Sequence, residues 1–350
     1  MKYWIWAGVI GAAVFVTGEA SARTEPFGQE SAELRTPRYQ RARQPAHRHN
    51  HGPAHNHQHA HNHPHGHSHA HGDRHGRHPQ DRHFGHDHGI ETESLFGFTL
   101  GSDTEHVGAK GIAIEIVGRF GKRAGSYNAY GKKLEFAYGL TENVSAGVGL
   151  FAIHQRVSGV PGFANTDVFS FNGIGGELRW RLLNRSMNPF GMTLHFEPSV
   201  QSHDELTGLR GIKYGSENKL IFDTELMKDK WFAAFNVIYE VEYVKERGET
   251  EWERASKFGF GFAVTNQIAK NVFLGVETRY LRAYDGLVLG DFTGEAVYLG
   301  PTLYTKLAPN MWLSLAWSHQ IWGEEVGNAL RLDLVNFERN QIRLKAGIEF

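Results

Sequence analysis

The sequence predicts an all-β protein: a transmembrane antiparallel up-and-down β-barrel of about 12 strands, preceded by a signal peptide and a disordered His-rich segment. Three observations carry the prediction. Apolar and polar residues alternate over segments longer than the roughly 5–6 residues of an ordinary soluble strand. The connections between these segments alternate between short and long. The chain also opens on an export signal and finishes on an aromatic strand end.

Composition bounds the rest. The chain has 350 residues, a formal net charge of −1 and no cysteine. Near-neutral charge supplies no field for nucleic acid or an anionic membrane surface. The lack of cysteine excludes disulfides, thiolate metal sites and a lipoprotein anchor. Forty-one glycines among many aromatics favour β structure with tight turns.

Residues 1–22 read as a signal peptide: Lys2 is the positive start, Tyr3–Thr17 the apolar run, and Ala20-Ser21-Ala22 the small-x-small cleavage site. The run is short of the ~20 apolar residues that a spanning helix needs. Residues 23–91 are expected to be a disordered Arg/His-rich segment on the periplasmic side. Its first part, 23–46, is polar and carries Pro26, Pro37 and Pro45; its second, 47–88, holds 17 of the 22 histidines. Residues 92–350 are assigned to the barrel.

Alternating segments lie near 111–120, 129–139, 144–155, 170–183, 190–200, 217–227, 231–244, 254–265, 271–282, 295–306, 311–322 and 338–350. In the clearest, Trp231, Ala233, Phe235, Val237, Tyr239, Val241 and Tyr243 share one face, with Asn236, Glu240 and Glu242 opposite. Tilted strands of about 9–11 residues are what a membrane crossing needs. Short turns are expected near 140–143, 184–189, 228–230, 266–270 and 307–310. Longer loops are expected near 156–169, 201–216, 245–253, 283–294 and 323–337, with a brief one near 121–128. The last strand, IRLKAGIEF (342–350), ends on Phe350 and resembles the C-terminal signal read by the barrel-assembly machinery. Tyr138, Phe190, Trp231, Trp312 and Phe350 should form one aromatic belt, and Phe120, Tyr243, Trp252, Tyr280 and Trp322 the other.

The stretch 95–150 resembles the start of an uncharacterised group of bacterial outer-membrane barrels, loosely related to transporters assigned to phenol-degradation pathways. Its most specific pieces are FGFTLGSDT (96–104) and EFAYGLTENVS (135–145), a strand, a tight turn and the next strand. The resemblance implies an outer-membrane barrel and transport. It brings no catalytic residues, and the His-rich segment is not part of it.

If the apolar faces meet lipid, the opposite faces line a lumen: Glu115, Lys133, Glu135, Glu177, Arg179, Arg181, His195, Glu197, Asp223, Glu225, Glu240, Glu242, Glu277, Arg279, Arg343 and Lys345. Such charges either rim a water-filled passage, with a weak preference for cations, or pair across a closed interior. Nothing in the pattern points to an enzyme. No His-x-Ser pair occurs in 111–350; His195 and Glu197 share a face as a polar ladder, and Ser202-His203-Asp204 falls on a loop without a nameable partner.

The alternating histidines His55, His57, His59, His61, His63, His65, His67, His69 and His71 have no apolar face to bury, and Pro64 and Gly66 interrupt them. They read as a flexible polymer of imidazoles that binds Zn, Ni, Co or Cu as divalent ions, weakening as pH falls, or as a solubilising spacer. No cofactor is required. The expected partners are outer-membrane lipid, the assembly machinery at Phe350, and a small solute or metal ion. The leading expectation is an outer-membrane channel or solute transporter; the alternatives are a closed structural or surface-interaction barrel with a metal-storage tail, and a barrel hydrolase.

Overall fold

The computed structural model describes residues 90–350. The signal sequence and the histidine tract lie outside the described residues. Twelve strands follow in order: β1 (Lys110–Phe120), β2 (Ser126–Thr141), β3 (Val144–Ser158), β4 (Thr166–Leu183), β5 (Gly191–His203), β6 (Arg210–Met227), β7 (Trp231–Glu246), β8 (Glu253–Ala269), β9 (Val272–Asp285), β10 (Asp291–Ala308), β11 (Met311–Glu325) and β12 (Asn340–Glu349). Each pairs antiparallel with its sequence neighbours, and β1 pairs with β12 from Gly111↔Glu349 to Phe120↔Asn340, closing the barrel. Closure leaves no strand edge unpaired, which hydrocarbon requires.

The outer wall is apolar. Val148, Ile174, Trp180 and Val276 stand more than half exposed, and Phe136, Leu178, Leu194, Phe196 and Phe262 project beside them. In water such a surface would aggregate; facing lipid it is the stable arrangement. A closed antiparallel barrel with this wall is an outer-membrane protein.

One strand changes phase. In β4, Phe169 and Phe171 face outward, and so do Ile174, Leu178 and Trp180, so the alternation slips between them. A bulge accounts for it: the β3–β4 register shifts between Phe151 and Ala152, opposite Gly173, whose φ is +144°. Glycine tolerates that backbone, and the extra residue re-aims the second half of the strand.

Two expectations need correction. The connections at one end, 142–143, 184–190, 228–230, 270–271 and 309–310, are indeed mostly tight. Those at the other, 121–125, 159–165, 204–209, 247–252 and 286–290, are shorter than expected, because strands such as β4, β6 and β10 run on for 18 residues. Length is concentrated in 326–339. Trp312 does not join the outer belt: it turns inward, stacking on Tyr304 at 6.3 Å between ring centroids, beneath the ammonium of Lys345. Tyr138, Phe190, Trp231 and Phe350 at that end, and Trp322 at the other, do face outward.

Candidate functional site

The lumen has a floor that is not part of the sheet. Residues 92–104 enter at the end carrying the tight turns, cross the interior and return to the same end before β1. Leu95 and Phe96 are fully buried against inward-facing Phe232, Ala234, Ala263, Phe273 and Tyr304. Backbone groups of this segment cannot pair with a ladder, so barrel side chains satisfy them. The Glu277 carboxylate accepts from the Thr99 amide at 2.7 Å and the Phe98 amide at 3.0 Å. Asn236 takes both sides of one residue, accepting from the Leu100 amide at 2.8 Å and donating to its carbonyl at 2.9 Å. Asp223 accepts from the Ser102 amide at 3.0 Å, and Arg179 donates to the carbonyls of Gly101 and Asp103 at 2.6 and 2.9 Å. Arg343 donates to the Gly97 carbonyl and is held by Glu115 at 2.9 and 3.0 Å. The guanidinium of Arg279 lies 3.8 Å from the centre of the Phe98 ring.

Gly97 fits this path for two reasons. Its φ is +90°, and a Cβ there would stand 2.8 Å from atoms of Ala316, Glu277 and Thr302. A larger residue would strain the backbone and collide with the wall.

Below the floor, at the mouth, Glu105 and His106 sit among Glu91, Glu93 and Glu349. Burial and then the neighbouring carboxylates push Glu105 up to about 8. A hydrogen bond to Glu91 raises His106, despite burial that acts the other way.

Above the floor lies a cavity of about 300 Å³. Its wall is a ladder of ion pairs. Lys133 stands 2.9 Å from Glu135, 3.2 Å from Glu177 and 2.8 Å from Glu197. His195 faces Glu177 and Glu197 at 3.6 and 3.8 Å. Across the barrel, Lys213 meets Glu242 at 3.1 Å and Lys257 meets Glu240 at 2.9 Å. Acidic and basic side chains line the cavity in equal number, so the cation preference expected from the strand pattern finds no support in the lining.

Two infolded loops narrow the other end of the lumen. The carbonyl of Leu206 accepts from Tyr127 at 3.0 Å and Gln155 at 2.8 Å. Lys122, almost fully buried, donates to the carbonyls of Val335 and Phe337 at 3.1 and 2.9 Å and pairs with Glu338 at 3.3 Å. Phe337 packs on Ile238, Leu281 and Tyr298. Burial opposes the charged forms of Glu205 and Glu338, yet cations hold both below the usual carboxylate range: Lys213 and Arg119 for Glu205, Lys122 and Arg119 for Glu338.

A family model described as a family of unknown function (DUF6662) matches residues 88–350. The chain belongs to that family. The match covers the floor segment and the whole wall, where the sequence resemblance rested on 95–150. No curated protein matches the sequence. Solved barrels similar to this member include an outer-membrane channel from Pseudomonas putida F1, at 12% identity and TM-score 0.48, over 71% of this chain and 98% of that one. The NanC porin follows at 13% identity and TM-score 0.39, covering 68% and 98%. The translocator domain of the autotransporter NalP from Neisseria meningitidis stands at 13% and 0.42, covering 71% and 91%.

Of the residues expected in the lumen of this family member, Glu115, Lys133, Glu177, Arg179, His195, Glu197, Glu240, Glu242, Arg279, Arg343 and Lys345 line the cavity. Glu135 is buried beside Lys133, while Asp223 and Glu277 are committed to the floor segment. Arg181 lies lower, bonded to Asn143 and Glu142 in the 142–143 turn. Glu225 is a correction: it stands exposed at the rim and accepts from the Asp229 amide, because β6 has already left the lumen there. Ser202 and His203 do touch, at 3.0 Å, but the Asp204 carboxylate is spent on the amides of Leu206 and Thr207.

Sequence pattern missed the inward apolar residues and the floor itself. A signal existed in WFAAF (231–235), where aromatics occupy both faces of one strand. FGFTLGSDT lies within the floor segment, and the wall starts at Lys110, close to the expected first strand near 111.

Proposed function

We propose that this outer-membrane barrel is a channel for small polar solutes, shut by residues 92–104 and opened when that segment leaves the lumen. The observation that carries the reading is the make-up of the closure. The floor is a separate segment attached at one end of the wall, and behind it lies a charged cavity rather than a packed core. Balanced lining favours neutral or zwitterionic solutes over ions of one sign. The tight-turn end would face the periplasm, as short turns do in such barrels. The histidine tract His55–His71 would then sit at that mouth and bind divalent zinc, nickel, cobalt or copper; composition is what supports this part.

Planar-bilayer recording of the refolded full chain tests the channel. Wild type should show brief, rare openings, and the double variant Asp223→Ala, Glu277→Ala should raise the open fraction severalfold. Silence in both would leave a closed structural barrel. The dense bonding of the floor favours that second reading, in which the same contacts only brace the wall.

A further inference from the structure

The lumen also contains a set of metal donors that the channel reading does not use. We propose that Glu177, His195 and Glu197 bind one divalent transition-metal ion of the zinc, cobalt or nickel class, in competition with the ammonium of Lys133. One ligand atom from each of these side chains lies within 4.8 Å of the others. The imidazole Nε2 faces one Glu177 oxygen at 3.6 Å and one Glu197 oxygen at 3.8 Å. These separations exceed a hydrogen bond. They approach the roughly 3.3 Å between neighbouring ligands around a tetrahedral ion with bonds of about 2.0–2.1 Å.

The imidazole supplies an independent sign. His195 is 4% exposed, and its Nδ1 has no hydrogen-bond partner among the described residues. No bond at that nitrogen fixes the ring, so its orientation is set by what Nε2 faces. Nε2 faces carboxylate oxygens of Glu177 and Glu197, and a metal between them would hold the ring on that side.

Local charge agrees. Glu93, Glu135, Glu177 and Glu197 converge here, and the cations paired with them among the described residues are Lys133, Lys345 and Arg179. Four carboxylates thus meet three side-chain cations. Glu197 divides its oxygens, Oε1 to Lys133 at 2.8 Å and Oε2 towards His195. The metal position is therefore beside the ammonium rather than on it, and the two cations repel. One nitrogen with two carboxylates suits a borderline divalent ion; calcium and magnesium call for more oxygens.

Zinc-induced stabilisation of the full chain in detergent micelles tests the site, because the histidine tract is common to all variants and binding inside the barrel raises its unfolding midpoint. Zinc should raise the midpoint of wild type. The apparent affinity should tighten about tenfold in Lys133→Met, where the competing charge is gone, and weaken at least about tenfold in His195→Ala and in Glu197→Gln. The Gln variant keeps its shape, so a folded protein is available if the Ala variant is not. Crystals of the full chain soaked in cobalt should show an anomalous peak between Nε2 of His195 and the two carboxylates. Identical zinc shifts in all variants, or anomalous density confined to the histidine tract, would overturn the proposal. No current is measured in either experiment, so this result stands or falls apart from conduction.

Discussion

At the scale of single residues, the most telling side chain is Glu105. It lies at the mouth rather than in the wall, and burial plus Glu93, Glu349 and Glu91 raise it from the usual 4.5 to about 8. A carboxyl raised in the fold binds its proton more tightly folded than unfolded. Its stabilising contribution is therefore complete below about 4.5 and is lost as pH climbs through about 8. Thermal midpoints in micelles should fall between pH 5 and 9 for wild type and fall less for Glu105→Gln; equal slopes would show that Glu105 carries no such burden. The sequence showed Glu105 only as one acid among many, because its environment comes from β12 and the floor segment, distant in sequence. His195 and Glu197 were legible as one face of a strand. Their meeting with Lys133 was not, since that depends on where β2 lies relative to β5.

At the scale of elements, twelve strands were legible because a two-residue period leaves its mark on every strand with one wet and one oily side. Their ends were not. In β6, Ser216 and Asn218 interrupt the apolar face between Tyr214 and Leu220, so the strand starts at Arg210 where the segment read from the sequence starts near 217. The floor segment escaped because it has no period: its amides are satisfied by Glu277, Asn236 and Asp223 instead of a neighbouring strand. A direct test is steric. Gly97→Val imposes a β-branched residue on a φ of +90° and collides with Ala316, Glu277 and Thr302. It should cost about 2 kcal/mol or more and drive the segment from its seat. Limited proteolysis should then cut within 92–104 in the variant while sparing wild type; equal resistance would mean that the lumen yields instead.

For the whole molecule, the wall decides behaviour in solution. Outward Val148, Trp180 and Val276 leave a belt that water does not tolerate. The native chain should remain in the membrane pellet through urea or carbonate washing and come away folded only with detergent. Recovery of folded monomer in buffer alone would contradict the barrel in lipid.

The floor segment makes its entry and exit at one mouth, with Ile90 and Ala109 both near the tight-turn end. A load applied to the chain just ahead of Ile90 would meet its restraints one after another, like a zip, instead of all together. Thr92 would let go of Asp223 before Asn236 released Leu100, and the cylinder would keep its full set of staves throughout. Whatever grips the leading end of this polypeptide thus holds a drawstring, and a modest tug does what chemical denaturation of the whole vessel would otherwise be needed to do.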